Sequence, residues 1–336
     1  MSSKRRRASD QEPGLTGKDR ELFETAWETT WQGQDRDFTF YLPGMIKYGR
    51  ERGRYPALSI TGPRCDLQCE HCKGKLLDPM LPVVDPHDLP PMGRRLLASG
   101  ALGVLLTGGS NCAGEVPWQT HIEAIKRLGT ETGLYISAHS GFISYATCKQ
   151  LKGAGVTQAL VDVMGDEASA TRVYHLRGLD QVVKTLGNIK KSGLELVPHI
   201  VAGLYFGKIR AEYQALEIIR AYEPASLVFV VLTPLKGTPM AGVRPPSPLA
   251  VARLIAKARL LMPQVPIALG CERPRNTEGR LLEKLAIRAG ANRMAIWSGP
   301  AVQETRRLGL VPRFQPTCCS VTFKERFSIP EPFCAF

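Results

Sequence analysis

One arrangement recurs along this chain: an amphipathic helical segment ends in glycine, and an apolar run follows within a few residues. Leu128-Gly129 precedes the run at 134–137, and Gly153-Ala154-Gly155 precedes 158–161. Ser192-Gly193 precedes 196–200, and Ala289-Gly290 precedes 294–297. Glycine suits the left-handed conformation that closes a helix. Apolar runs without clean alternation are what parallel strands look like when both faces are buried. Eight such runs lie at about 56–61, 103–107, 134–138, 158–163, 195–201, 227–233, 265–269 and 293–297. Strands alternating with helices in this way predict an α/β fold, a (βα)8 TIM-like barrel. A six-strand partial barrel is the competing architecture, and the two late runs favour eight. Residues 1–18 read as a disordered basic tail, and 19–55 as a short N-terminal cap with a helix near 20–30. Residues 56–310 read as the barrel, and 311–336 as a Pro-rich, cysteine-containing C-terminal extension.

The bulk properties narrow the classes. The 336 residues are 43% hydrophobic, enough for an ordinary packed core. No apolar run is long enough to cross a bilayer. Lys4, Arg5, Arg6 and Arg7 are followed by no apolar segment, so the N-terminus does not read as a secretory signal. Nine cysteines in a chain without an export signal argue for metal rather than disulfides, and for a reducing, cytoplasmic compartment. The formal net charge is +13, from 44 basic and 31 acidic residues. Such a balance draws acidic partners at long range. No basic stretch is interleaved with aromatics, so an acidic protein is expected rather than nucleic acid.

Three of the cysteines, Cys65, Cys69 and Cys72, read C-D-L-Q-C-E-H-C directly after the first apolar run. Three thiolates can hold three irons of a [4Fe–4S] cube and leave the fourth open. Zinc prefers four protein ligands, often from two C-x2-C pairs. Only one such pair exists here, and His71 lies between its members, where it is not expected to bind the same ion easily, so iron–sulfur is favoured. In barrel enzymes chemistry sits at the C-terminal ends of the strands, which is where this motif falls. The spacing, with an aromatic residue before the last cysteine, resembles the signature of the radical S-adenosylmethionine (SAM) superfamily. The resemblance implies that SAM chelates the open iron. It also implies that one electron from an external donor splits SAM into methionine and a 5′-deoxyadenosyl radical.

Other segments fit the same resemblance. Thr107-Gly108-Gly109-Ser110-Asn111 follows the second run, and in the superfamily this Gly-Gly segment meets the methionine amine of SAM. Asp162 and the segment Thr171-Arg172-Val173-Tyr174 resemble biotin synthase and its relatives. The resemblance gives Asp162 to the SAM ribose and Arg172 to its carboxylate, so the implied SAM contacts are Gly108, Gly109, Ser110, Asp162 and Arg172. The segment His199 to Leu204 is similar to the superfamily's G-x-I-x-G strand, with Pro198 or His199 replacing the first glycine. Lys236-Gly237-Thr238-Pro239 is close to the turn that biotin synthases carry there.

Six cysteines remain. Cys148 lies in a helical segment and reads as core, since free cysteine is among the most buried residue types. Cys112 and Cys271 fall near the expected barrel mouth, and Cys318, Cys319 and Cys334 in an extension able to fold back across it. Cys271, Cys318, Cys319 and Cys334 together supply enough thiolates for a second iron–sulfur cluster. Adjacent cysteines on one cluster are awkward, so Cys112 is an alternative to one of the pair. The stretch 40–49, with Ser59-Ile60-Thr61-Gly62, is similar to the two-protein type of lipoyl synthase. That resemblance implies sulfur insertion into the octanoyl-lysine of an acidic lipoyl carrier domain, with a companion radical SAM protein. The alternative is a biotin synthase-like radical SAM enzyme without sulfur insertion: a mutase, lyase or cofactor maturase.

Overall fold

A computed structural model describes residues 14–33, 35–44, 46–48 and 51–321. Cys334 and residues 1–13 of the expected tail lie outside them. Helix α1 (Gly17–Trp31) is followed by β1 (Asp37–Tyr41), the ribbon β2 (Lys47–Tyr48) and β3 (Glu51–Arg52), β4 (Ala57–Ser59) and β5 (Leu81–Pro82). Alternation then sets in: α2 (Leu89–Ala98), β6 (Gly103–Thr107), α3 (Ile122–Thr132), β7 (Tyr135–His139), α4 (Tyr145–Gly153) and β8 (Val156–Asp162). After α5 (Glu167–Arg172) and α6 (Leu179–Ser192) come β9 (Glu195–Ala202), α7 (Glu212–Arg220), β10 (Leu227–Val231) and α8 (Pro248–Leu261). The series ends with β11 (Ile267–Leu269), α9 (Thr277–Arg288), β12 (Arg293–Ala295), α10 (Gly299–Arg307) and β13 (Val311–Gln315).

All eight expected strands are present, in the expected order, within one 11-stranded sheet: β13-β1-β12-β11-β10-β9-β8-β7-β6-β4-β5. Every pairing in it is parallel. The fold is thus the TIM-like α/β architecture, curved into a partial barrel. Its ends depart from the simple expectation. The last expected strand, β12, pairs with β1 rather than with β4, and β13 pairs with β1 in turn. Segments read as cap and extension therefore each supply a sheet strand. A three-residue β12 would otherwise expose an unpaired edge, which sheets avoid. Among the described residues no ladder joins β13 to β4. That seam is crossed by single bonds from Arg54 N–H to Pro316 O (2.6 Å) and from Gly44 N–H to Tyr55 O (3.1 Å).

Local signals behave as chemistry dictates, with shifts. Helix α3 runs through Gly129 and stops at Gly133, whose φ of 65° is the left-handed value that ends a helix. Helix α1 begins at Gly17, inside the expected tail, because Thr16 and Asp19 form a reciprocal capping box. Asp19 also takes two bonds from Arg253 of α8, at 2.6 and 2.9 Å, which fixes α1 on the outer helical layer. Phe40 of β1 stacks on Phe314 of β13 and tilts against Trp297, so the added strands share one aromatic core. No described helix is long and apolar enough to cross a membrane.

The segment after β13 enters the barrel. Ser320 O accepts from Gln158 Nε2 at 3.1 Å, and Cys319 O from Arg293 Nη1 at 3.3 Å. Cys319 packs among Tyr41, Leu160, Val197, Val228, Ala268 and Ala295, inward-facing residues of six strands. Gln158 lies near the start of β8, and Arg293 begins β12. The segment thus occupies the end of the barrel where strands begin. The expectation of an extension lying across the mouth is corrected for these residues. β13 ends level with Tyr41 and Ala295, and from there the chain turns inward, where Gln158 and Arg293 take its carbonyls.

Candidate active site

A cavity of about 320 Å³ lies within the barrel, lined by the cysteine loop at one end and by Cys318 and Cys319 at the other. Residues 63–78 cross its mouth after β4 and are held by neighbours on both sides. Asp66 and Leu67 N–H groups bond Ser110 O, at 2.8 and 3.1 Å. Glu70 N–H bonds Val173 O at 2.9 Å. His175, at a φ of 56°, contacts Leu67 O through Nδ1 and Glu70 Oε1 through Nε2, both at 2.9 Å. Lys73 completes that cluster with Glu70 at 2.9 Å.

The loop gathers its thiols. Cys69 and Cys72 are buried, Cys65 half-buried, and all three line the cavity. Ligand atoms of Cys69, His71 and Cys72 lie within 4.8 Å of one another, a grouping no other described residues match. The thiol of Cys69 bonded to Cys72 sulfur holds Cys72 below the ordinary thiol range. The same bond, with burial, pushes Cys69 up. A buried cluster that already favours a thiolate is suited to a cationic iron centre. His71 stands beside these thiols rather than apart from them, with its ring 5.0 Å from that of Tyr174 and a buried Nδ1 that has no partner.

Gly109 shows why glycine is needed after β6. A Cβ there would stand 1.9 Å from Arg64 O and 2.6 Å from Cys65 Cα. The Gly108-Gly109 backbone therefore packs directly on the cysteine loop. Gly109 N–H is held by Thr61 Oγ1 at 2.6 Å. Gly108, Gly109 and Ser110 all line the cavity, facing Cys65. The residues present thus fit an open-sided iron–sulfur cluster with a backbone cradle beside it.

Asp162 ends β8 and also lines the cavity. Its Oδ2 accepts from Tyr174 OH at 2.6 Å, and Oδ1 lies 3.6 Å from His139 Nε2. Burial opposes ionisation, yet His139, His199 and the Tyr174 hydroxyl keep this carboxyl below the usual carboxylate range. Burial likewise opposes charge on His139, but the facing carboxylate raises it above the ordinary histidine value. His199, at the same level of β9, is pushed down to about 4 by burial and by His139. The two imidazole rings lie 5.5 Å apart. Sequence reasoning did not single out His139, and it named Tyr174 only as the end of the Thr171-Arg172-Val173-Tyr174 segment, with no role of its own. The signal was available for His139, since it is the last residue of β7, and strand ends carry barrel chemistry.

The structure separates other candidates. Arg172 is exposed, bonds Tyr205 OH at 3.3 Å, and is not part of the cavity wall. Cys112 is exposed and outside the wall, while Cys148 is buried in α4. Cys271, after β11, shares the cavity with Cys318 and Cys319. Cys318 is drawn below the ordinary thiol range by the Cys319 thiol and the Ser320 hydroxyl, against its burial. The rest of the wall joins apolar Leu105, Leu160, Val201, Val228 and Val230 with the polar group His139, Asp162 and His199.

Comparison with known proteins agrees with this geometry. Residues 229–309 match the Biotin and Thiamin Synthesis associated domain. A biotin synthase of Geobacter sulfurreducens is 26% identical over 244 residues, covering 70% of this chain and 72% of that protein. One from Neorickettsia sennetsu is 25% identical over 283 residues, covering 78% and 85%. Among solved structures, methylornithine synthase superposes with a TM-score of 0.61 at 19% identity, covering 84% of this chain and 79% of that one. The FeFe-hydrogenase maturase HydG from Carboxydothermus hydrogenoformans gives 0.62 at 15% identity, covering 91% and 74%. These two share the fold. Similar in sequence to biotin synthases along most of its length, and with Cys65, Cys69 and Cys72 lining the mouth of a barrel of the same fold, the chain resembles the biotin synthase-like group of radical SAM proteins.

Proposed function

We propose that this enzyme inserts sulfur into an unactivated aliphatic chain, as one component of a two-protein lipoyl synthase. Its substrate would be the octanoyl-lysine of an acidic lipoyl carrier domain. The observation that carries this reading is the pairing of two thiol groups in one cavity. Cys65, Cys69 and Cys72 stand at the mouth, Cys271, Cys318 and Cys319 line the same space, and apolar side chains lie between.

Cys65, Cys69 and Cys72 would hold the [4Fe–4S] cluster, and with SAM bound it would supply a primary carbon radical able to take hydrogen from an unactivated C–H bond. The rest falls to the chain itself. Gly108, Gly109 and Ser110 offer backbone to the SAM amine beside the cysteine loop, on which Gly109 packs too closely for a side chain. Asp162, kept ionised, would face the ribose hydroxyls, while Tyr174 and His139 fix its two oxygens. Arg172 would reach the SAM carboxylate only by leaving Tyr205. The apolar wall orients the acyl chain and keeps water away, so that placement decides which bond reacts. Cys271, Cys318 and Cys319, with Cys334 as a further candidate, would hold a second cluster as sulfur donor. A net charge of +13 favours encounter with an acidic carrier. A companion radical SAM protein and an external electron donor complete the proposed system.

The test has two parts. Anaerobic turnover with an octanoyl-lysine peptide, with and without a candidate companion, is read by mass spectrometry for a gain of sulfur. Iron and sulfide per chain are counted before and after the joint replacement of Cys271, Cys318 and Cys319 by alanine. A drop of about one cluster's content is expected. Unchanged stoichiometry, with 5′-deoxyadenosine still formed from SAM, would favour a mutase, lyase or maturase without sulfur insertion.

A further inference from the structure

The segment 316–321 has an unusual placement for a C-terminal stretch. It lies inside the sheet's concave face rather than on the helical layer. Thr317, Ser320 and Val321 are almost fully buried, as is Cys319. Its carbonyls are gripped by side chains from the strands: Ser320 O by Gln158 and Cys319 O by Arg293. Gln158 is itself 2% exposed and is held by Glu195 Oε2 at 2.8 Å. The turn closes on itself through Val321 N–H to Cys318 O at 3.1 Å. Ser320 Oγ points at Cys318 Sγ, 3.4 Å away. Buried polar side chains that meet backbone carbonyls fix a segment, because breaking them would leave unpaired groups out of reach of water.

We propose that residues 316–321 are a floor plug, with Gln158 and Arg293 as the positioning residues that clamp it. The plug makes the cavity a blind tunnel whose far end is the Cys318–Cys319 pair. Among the described residues, the side left to an entering ligand is that of the cysteine loop. The ligand enters tip first, and the apolar wall selects an unbranched aliphatic chain. That last clause rests on the acyl-chain reading of the function; the plug itself does not. Substrate carried on a large acidic protein would stay outside with its attachment point, and the distal carbons would lie nearest the floor thiols.

The metal-free, full-length protein tests this with thiol-directed methanethiosulfonates, read cysteine by cysteine by mass spectrometry. Cys319 and Cys148 should be protected, and Cys112 should react freely. At Cys318 the neutral butyl reagent should outpace the charged sulfonatoethyl reagent, as an apolar approach requires. In Gln158→Leu, the rate at Cys319 should rise by about tenfold or more as local opening becomes easier, while Cys148 stays protected. Arg293→Met should act in the same direction. Exposure of Cys148 alongside Cys319 would mean general unfolding and would count against a local clamp. Reaction of Cys319 in the unaltered protein at the rate of Cys112, or no change in either variant, overturns the plug. The iron and sulfide count above is independent of this outcome, so a failed plug and a failed sulfur-insertion reading are told apart.

Discussion

At the scale of single residues, the site is governed by how closely backbone and thiols approach. Gly109 has no room for even a methyl group, because the carbonyl of Arg64 occupies the position. Gly109→Ala is expected to force the cysteine loop outward, at a cost of about 1–3 kcal/mol. Iron retained per chain after anaerobic reconstitution should fall, with SAM affinity falling beside it in equilibrium dialysis. Full retention of both would remove Gly109 from the cradle. The cysteines themselves were legible in the sequence, since three thiolates within eight residues need no distant partner to be recognised. His139 was not, because a lone histidine at a strand end acquires meaning only when folding brings Asp162 of β8 within 3.6 Å and the His199 ring of β9 within 5.5 Å.

At the scale of elements, helix ends and their anchors were partly readable. Of the four helix ends read from glycine, those of α4, α6 and α9 are in place, yet α3 passes through Gly129 and ends at Gly133. A glycine can sit inside a helix at modest cost, so the residue type alone does not mark the end. The start of α1 depends on a capping box that also serves a tertiary contact. Asp19 caps the helix and pairs with Arg253 on α8, and that guanidinium is the main reason its carboxyl lies below the ordinary range. A depressed folded-state value stabilises the protein above the unfolded value, near pH 4, and that contribution fades as pH falls further. Asp19→Asn should therefore lower unfolding stability at pH 7, by about 1–2 kcal/mol from cap and anchor together. The difference from the unaltered protein should shrink in urea titrations below about pH 4. A gap that stays constant down to pH 2 would contradict this origin.

For the whole molecule, charge and topology act together. If the proposed acidic carrier is attracted by the chain's formal net charge of +13, its affinity should weaken as salt rises past about 0.15 M, where the screening length is about 8 Å. Binding that ignores ionic strength in calorimetry would remove electrostatic attraction from the account. The sequence alone determined the succession of strands and helices and the mouth cysteines, because period, glycine punctuation and ligand spacing are local properties of a chain. It also determined that the cysteine loop follows a strand and so falls at the chemical end of the barrel. Only the tertiary structure decided that β1 and β13 extend the sheet beside β12. It alone placed Cys318 and Cys319 at the floor rather than over the mouth, and assembled His139, Asp162 and His199. Those outcomes depend on sheet register and on which buried carbonyl finds a donor, and such pairings join residues far apart in the chain that carry no mark of each other in the sequence.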